Sequence, residues 1–150
     1  MKETARAVSA LPSFGWRDGM LSLNGWRILS ARSYMLSASM QSSGEVTRWH
    51  IDDAGKPGRC DTFTTEGIVR HSPGEGFFPE FPDAPDLEDA ATGGALLQAA
   101  WETGWVLSVT ADPLTGTVTV RDDAGDDVAR GATLGEACAR ALVTLDGQSR

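Results

Sequence analysis

The chain has 150 residues, of which 41% are apolar and 23% charged, and five Trp and five Phe supply bulk for a core without metal or disulfide staples. Thirteen basic against 21 acidic residues leave a formal charge of −8, which argues against direct nucleic-acid binding, because neutralising phosphates needs a basic footprint. Cys60 and Cys138 stand far apart in no metal-type spacing, so a reducing cytoplasm is the expected compartment. The opening "MKETARAVSALPSFGW" has no long apolar run and is read as neither signal peptide nor anchor, and nothing approaches the roughly 18 apolar residues of a membrane span.

In chain order, residues 1–13 read either as a short helix ending before Pro12 or as a mobile segment. "GMLSLNGWRIL" (19–29) then reads as a hairpin, with Asn24-Gly25 as a type I′ turn pairing Leu23 with Trp26 and Leu21 with Ile28. That register places Leu21, Leu23, Trp26 and Ile28 on one apolar face. Alternation continues in "SYMLSASM", where Tyr34, Leu36, Ala38 and Met40 share a face, and in "EVTRWHI", where Thr47, Trp49 and Ile51 do. "DDAGKPG" (52–58) is a polar turn, and "RCDTFTTEGIVRH" offers one or two further strands of an antiparallel meander. No internal repeat or low-complexity tract is read.

Composition changes at Ser72: "SPGEGFFPEFPDAPDLED" holds four Pro, six carboxylates and three Phe, and can propagate neither helix nor central strand. Residues 89–104 predict a helix capped by Asp89 or Thr92, with Leu96, Leu97, Ala100 and Trp101 as its apolar stripe and Gly104 past its end. A second hairpin follows over 105–122, with Trp105, Leu107 and Val109 on one face and Val118 and Val120 opposite. "VARGA" adds a short strand, and Thr133 with Glu136 forms a capping box for a helix whose stripe is Leu134, Ala137, Cys138, Ala141, Leu142 and Leu145, with Gly147 at its C′ position. The expected fold is α+β: an antiparallel sheet of N-terminal meander and C-terminal hairpin, packed by two helices. The expected organisation is a β-rich part (1–71), a Pro/acidic linker (72–88) and an α+β part (89–147) sharing one compact unit.

His50, Cys60 and His71, with Asp52, Asp53 and Asp61, contain the residue types zinc accepts, but at no usual ligand spacing, so they are weak metal candidates and no cofactor is expected. A Cys–His pair could supply nucleophilic catalysis, yet Cys138 lies on an apolar helix stripe where a small filler is expected. No G-x-S-x-G and no phosphate loop occurs. Phe77, Phe78 and Phe81, held between prolines and carboxylates, are read first as a loop docking onto its own sheet and second as a pre-stiffened recognition segment.

Pro85-Asp86-Leu87, Asp89, Ala91-Thr92, Leu96-Leu97, Trp105 and Gly131-Thr133-Glu136-Ala137-Ala141-Leu142, together with "WRDGM" (16–20), form a pattern that resembles small uncharacterised bacteriophage and prophage proteins, including those described as phage "ABA sandwich" domains. The resemblance covers about the last 65 residues; it departs at Gly93-Gly94, where such helices carry bulkier residues. It implies a phage origin and transfers no catalytic residue. The expected function is therefore that of a non-enzymatic accessory protein binding a host or phage protein complex in the bacterial cytoplasm. One version is anti-CRISPR-like: an acidic surface including Asp122, Asp123, Asp126 and Asp127, and the carboxylates of residues 75–89, occupies a basic nucleic-acid groove of a host defence complex. The alternatives are a virion structural or assembly component, which would form homo-oligomers, and a small metal-dependent hydrolase built on His50 and His71.

Overall fold

The computed structural model describes residues 1–64, 66–67, 69–72, 80–106 and 108–146, without the side chains of 69–72. The chain is α+β, in the order α1 (Lys2–Ser9), β1 (Trp26–Arg32), β2 (Met35–Met40), β3 (Val46–Ile51), β4 (Pro57–Phe63), β5 (Val69–Ser72), α2 (Ala90–Glu102), β6 (Ser108–Ala111), β7 (Val118–Arg121), β8 (Asp127–Gly131) and α3 (Leu134–Asp146). The strands do not join into one sheet: β1 to β5 form a five-stranded meander, and β6 to β8 a separate three-stranded one. The predicted hairpin is thus extended by β8 rather than by the N-terminal strands. Two compact units result, one of residues 16–83 and one of residues 1–15 with 84–150. The N-terminal helix belongs with the C-terminal part rather than with the β-rich segment 1–71, because its apolar Ala5 and Val8 are buried and it packs on α3.

In the unit of residues 16–83, the opening hairpin differs from expectation by one residue. Among the described residues only glycines have positive φ, and at the turn that residue is Gly25 (φ 95°), so the loop is a type I turn plus glycine bulge rather than type I′. Ser22 N donates to Trp26 O (2.8 Å) and Ile28 N to Met20 O (2.7 Å). A one-residue shift turns the side chains of the first arm to the other face: Met20 and Ser22 are buried with Trp26 and Ile28, whereas Leu21 and Leu23 are half-buried. Ser22 tolerates burial because its Oγ accepts from Trp26 N (2.9 Å) and donates to Asn24 Oδ1 (2.6 Å).

The alternation in β2 and β3 is as read for Leu36, Ala38, Thr47 and Trp49, all buried; Tyr34 falls in the β1–β2 turn and is exposed. Trp49 stacks edge-on against Trp26, ring centroids 4.8 Å apart, and Thr47 lies opposite Thr62 with their buried hydroxyls 2.8 Å apart.

In the other unit, Asp89 caps α2, its Oδ2 accepting from Thr92 N and Thr92 Oγ1 at 3.0 Å each. The helix runs through Gly93-Gly94, and the first of these is buried because it faces the first turn of α3: a Cβ there would stand 3.2 Å from Gly135 N. The buried face of α2 is Thr92, Gly93, Leu96 and Ala100, so the predicted stripe is rotated: Leu97 is half-buried and Trp101 exposed. Beyond Gly104 (φ 80°) the inward residue is Val106, and Trp105 is exposed instead of facing inward with Val109; Leu107 lies outside the described residues. Helix α3 opens with the expected capping box, Glu136 N donating to Thr133 Oγ1 (3.1 Å), while Glu136 Oε1 reaches one residue further back, to Ala132 N (2.7 Å). Ala137, Cys138, Ala141 and Leu145 are buried beneath it; Leu134 and Leu142 are half-buried, and Gly147 lies outside the described residues.

Candidate functional site

The acidic turn is largely consumed by its own hairpin. Asp122 Oδ1 accepts from Ala124 N and Asp126 N, 3.0 Å each, and Asp122 N donates to Asp126 O. The tetrapeptide Asp-Asp-Ala-Gly occurs twice, and Asp52 Oδ1 makes the same pair of bonds, to Ala54 N (3.0 Å) and Lys56 N (2.8 Å). Both are side-chain-braced turns closed by a positive-φ glycine, Gly55 and Gly125. Asp127 accepts from Arg130 Nε (3.0 Å) and pairs with Arg121 Nε (3.0 Å); these contacts, the Arg130 hydrogen bond foremost, hold its carboxyl below the usual range. Of the four candidate carboxylates, Asp123 and Asp126 are exposed without a side-chain bond among those described, and Asp122 and Asp127 are structural.

The Phe-Pro segment is described only from Glu80 onward, so Phe77 and Phe78 lie outside the described residues. Phe81 docks on its own sheet, edge-on to Trp49 at 5.3 Å between centroids. What holds it there is Asn24: its Nδ2 donates to Phe81 O (3.0 Å), its backbone N donates to Asp83 Oδ1 (3.2 Å), and Asp83 N donates to Asn24 Oδ1 (3.4 Å).

The metal candidates are not brought together. Cys60 is fully buried opposite Trp49, whereas His50 lies on the other, partly exposed face, with Nε2 3.8 Å from Asp61 Oδ2 and 3.4 Å from Arg59 Nη2. In the register of β4 and β5 the backbone of His71 lies opposite Asp61; its side chain is outside the described residues. No group of three His, Cys, Asp or Glu is placed to hold a metal among the described residues. Cys138 is buried, and burial pushes its thiol up to about 11, which is the inert end of thiol chemistry.

Two features escaped the reading of the sequence. A shallow groove of about 580 Å³ runs between α1, β8 and α3, where Arg140 donates to Arg130 O (2.8 Å) and pairs with Glu136 (3.6 Å). The other is the end of α2. Trp101 and Trp105 are each 48% exposed and bracket a helix terminus with no basic residue in its last turn and Glu102 as its last residue. The carbonyl end of a helix carries partial negative charge, and nothing cationic in that turn offsets it. Gly104 in the sequence marks this terminus, but Trp101 looked like core because helical spacing places it next to Leu97.

No protein-family model, curated protein or solved structure matches this chain. No helix among the described residues is long and apolar enough to cross a membrane.

Proposed function

We propose that this protein is a non-enzymatic accessory factor of phage or prophage origin, which binds a basic surface of a host or phage protein complex in the bacterial cytoplasm. Blocking the nucleic-acid groove of a host defence complex is the concrete version. The observation that carries the binding role is the exposed tryptophan pair, Trp101 and Trp105, at the electronegative end of α2. Trp is the residue type most enriched at interface hot spots, and its face attracts Arg and Lys. The net charge of −8 supports a basic partner, with Asp123 and Asp126 as the outlying carboxylates.

The test is affinity purification from the natural host with the wild-type chain, the Trp101→Ala/Trp105→Ala pair and the Asp123→Lys/Asp126→Lys pair. A specific complex should be recovered with wild type and lost with the tryptophan pair. The charge-reversed pair should weaken recovery most at low salt, where exposed charges are least screened. Equal recovery by all three would refute this surface.

A further inference from the structure

Asn24 does more than shape a turn: three of the contacts around it tie the β1 entry to residues 81–83. Its Nδ2 donates to Phe81 O at 3.0 Å, its Oδ1 accepts from Ser22 Oγ at 2.6 Å and from Asp83 N at 3.4 Å, and its own backbone N donates to Asp83 Oδ1 at 3.2 Å. The residue that follows is Gly25, with no side chain to shield its backbone nitrogen. An Asn followed by Gly is the arrangement in which that nitrogen most readily attacks the neighbouring side-chain carbonyl. We propose that Asn24-Gly25 is a covalent modification site, at which intramolecular deamidation turns the latch on Phe81–Asp83 into a carboxylate and releases that segment.

The step balances with water as the only co-reactant. Gly25 N loses its proton and bonds to Asn24 Cγ; the Cγ–Nδ2 bond breaks, and ammonia leaves. Water then opens the resulting succinimide at either carbonyl, giving aspartate or isoaspartate at position 24. In the latched state both reacting groups are occupied. The proton of Gly25 N is donated to Ser22 O (3.1 Å), and the leaving Nδ2 is donated to Phe81 O. Reaction therefore waits on local opening, and its rate reports how often the latch opens.

The product cannot re-form the bond to Phe81. A carboxylate has no hydrogen to offer Phe81 O, and it brings a negative charge beside the Asp83 carboxylate that now accepts from Asn24 N. Isoaspartate also lengthens the backbone at the residue whose N–H reaches Asp83. Either product leaves Phe81 without its tether, and its ring is then free to leave the edge-on contact with Trp49. The change runs one way, so it would act as a clock rather than a reversible switch.

The full-length protein tests this at mildly alkaline pH, with peptide mapping by mass spectrometry for deamidation at Asn24 and near-ultraviolet circular dichroism for the aromatic cluster. Wild type should deamidate at Asn24, more slowly than the same chain unfolded in urea, and its aromatic signal should decay in step. Asp83→Ala, which removes the carboxylate that accepts from Asn24 N and leaves the amide intact, should deamidate roughly fivefold faster, as expected for losing one bond of about 1 kcal/mol. Asn24→Asp should show the released aromatic signal from the start, with its far-ultraviolet spectrum unchanged. If Asn24→Asp unfolds, the Asp83→Ala rate decides the matter. The proposal fails if wild type stays amidated at Asn24 while the unfolded chain reacts, with Asp83→Ala no faster. An Asn24→Asp chain that folds and keeps the wild-type aromatic signal would also overturn it.

Discussion

Three glycines of the helices make a matched experiment, because the same substitution should change sign with position. Gly94 is exposed in α2, and a Cβ there meets nothing within 4 Å. Gly94→Ala should stabilise the fold by about 0.5–1 kcal/mol, the difference in helix propensity between the two residues. Gly135 sits in the first turn of α3, and a Cβ there would overlap the backbone of Leu87, 3.0 Å from its Cα and closer still to its carbonyl oxygen. That same oxygen accepts from Thr133 Oγ1 at 2.7 Å, so moving it away also strains the cap of the helix. Overpacking costs about 1–3 kcal/mol, and weakening the cap bond about 1 kcal/mol more. Against a propensity gain near 1 kcal/mol, Gly135→Ala should be destabilising by about 1–3 kcal/mol. Gly93, whose added Cβ would lie 3.2 Å from Gly135 N, should fall between them. Urea unfolding followed by far-ultraviolet circular dichroism reads this directly. At an m-value of roughly 1–3 kcal/mol/M, Gly135→Ala should lower the midpoint by about 1 M, while Gly94→Ala raises it slightly. If Gly135→Ala is neutral or stabilising, the close approach of α3 to residue 87 is not a feature of the folded protein.

Two further predictions concern polar groups. Replacing either Thr47 or Thr62 by Val leaves the other buried hydroxyl without its partner at 2.8 Å and should cost about 1–3 kcal/mol; the double Val variant should cost clearly less than the sum, measured as a double-mutant cycle. Asp127 should titrate below its ordinary value of 3.8 because of Arg130 first and Arg121 second. With a lowered folded pKa, its stabilising contribution is complete above the unfolded value and is lost as pH falls through the folded one, in a window below about pH 3.8. Arg130→Ala should raise the Asp127 titration midpoint in an NMR titration, and an unchanged midpoint would contradict the ion pair.

Elements and caps were legible in the sequence wherever local chemistry decides them. The α+β class, the cap Asp89, the capping box of Thr133 and Glu136, and the terminator Gly104 all rest on interactions within a few residues. What was lost came from outside that range. Asn24-Gly25 suggested a two-residue turn because Asn tolerates positive φ, yet the Asn24 side chain is held by residues 81 to 83, and Asn24 keeps an ordinary φ. The competing signal was present in a different form: Ser22, Asp52 and Asp122 each stand three residues before a positive-φ glycine and accept from the backbone N–H four residues on. That spacing specifies the bulged loop, and with it the register that buries Met20 and Ser22 rather than Leu21 and Leu23.

The same logic reshapes the meaning of the net charge. A run such as Asp122 to Asp127 looks like a patch on paper, but a carboxylate that closes a turn presents its lone pairs to the chain's own N–H groups. Asp52, Asp86, Asp89, Asp112 and Asp122 all do this, with Glu88 N, Thr92 N and Leu114 N among the donors. For Asp112 the bond from Leu114 N is also the main reason its pKa is lowered. The geometry of each is fixed by the hairpin or cap it serves, so toward the proposed basic partner it offers long-range attraction rather than a formed contact. Specific contact then falls to side chains with no structural duty. On that criterion the proposed partner is to be sought at the exposed tryptophans at the end of α2 more than at the acidic turn.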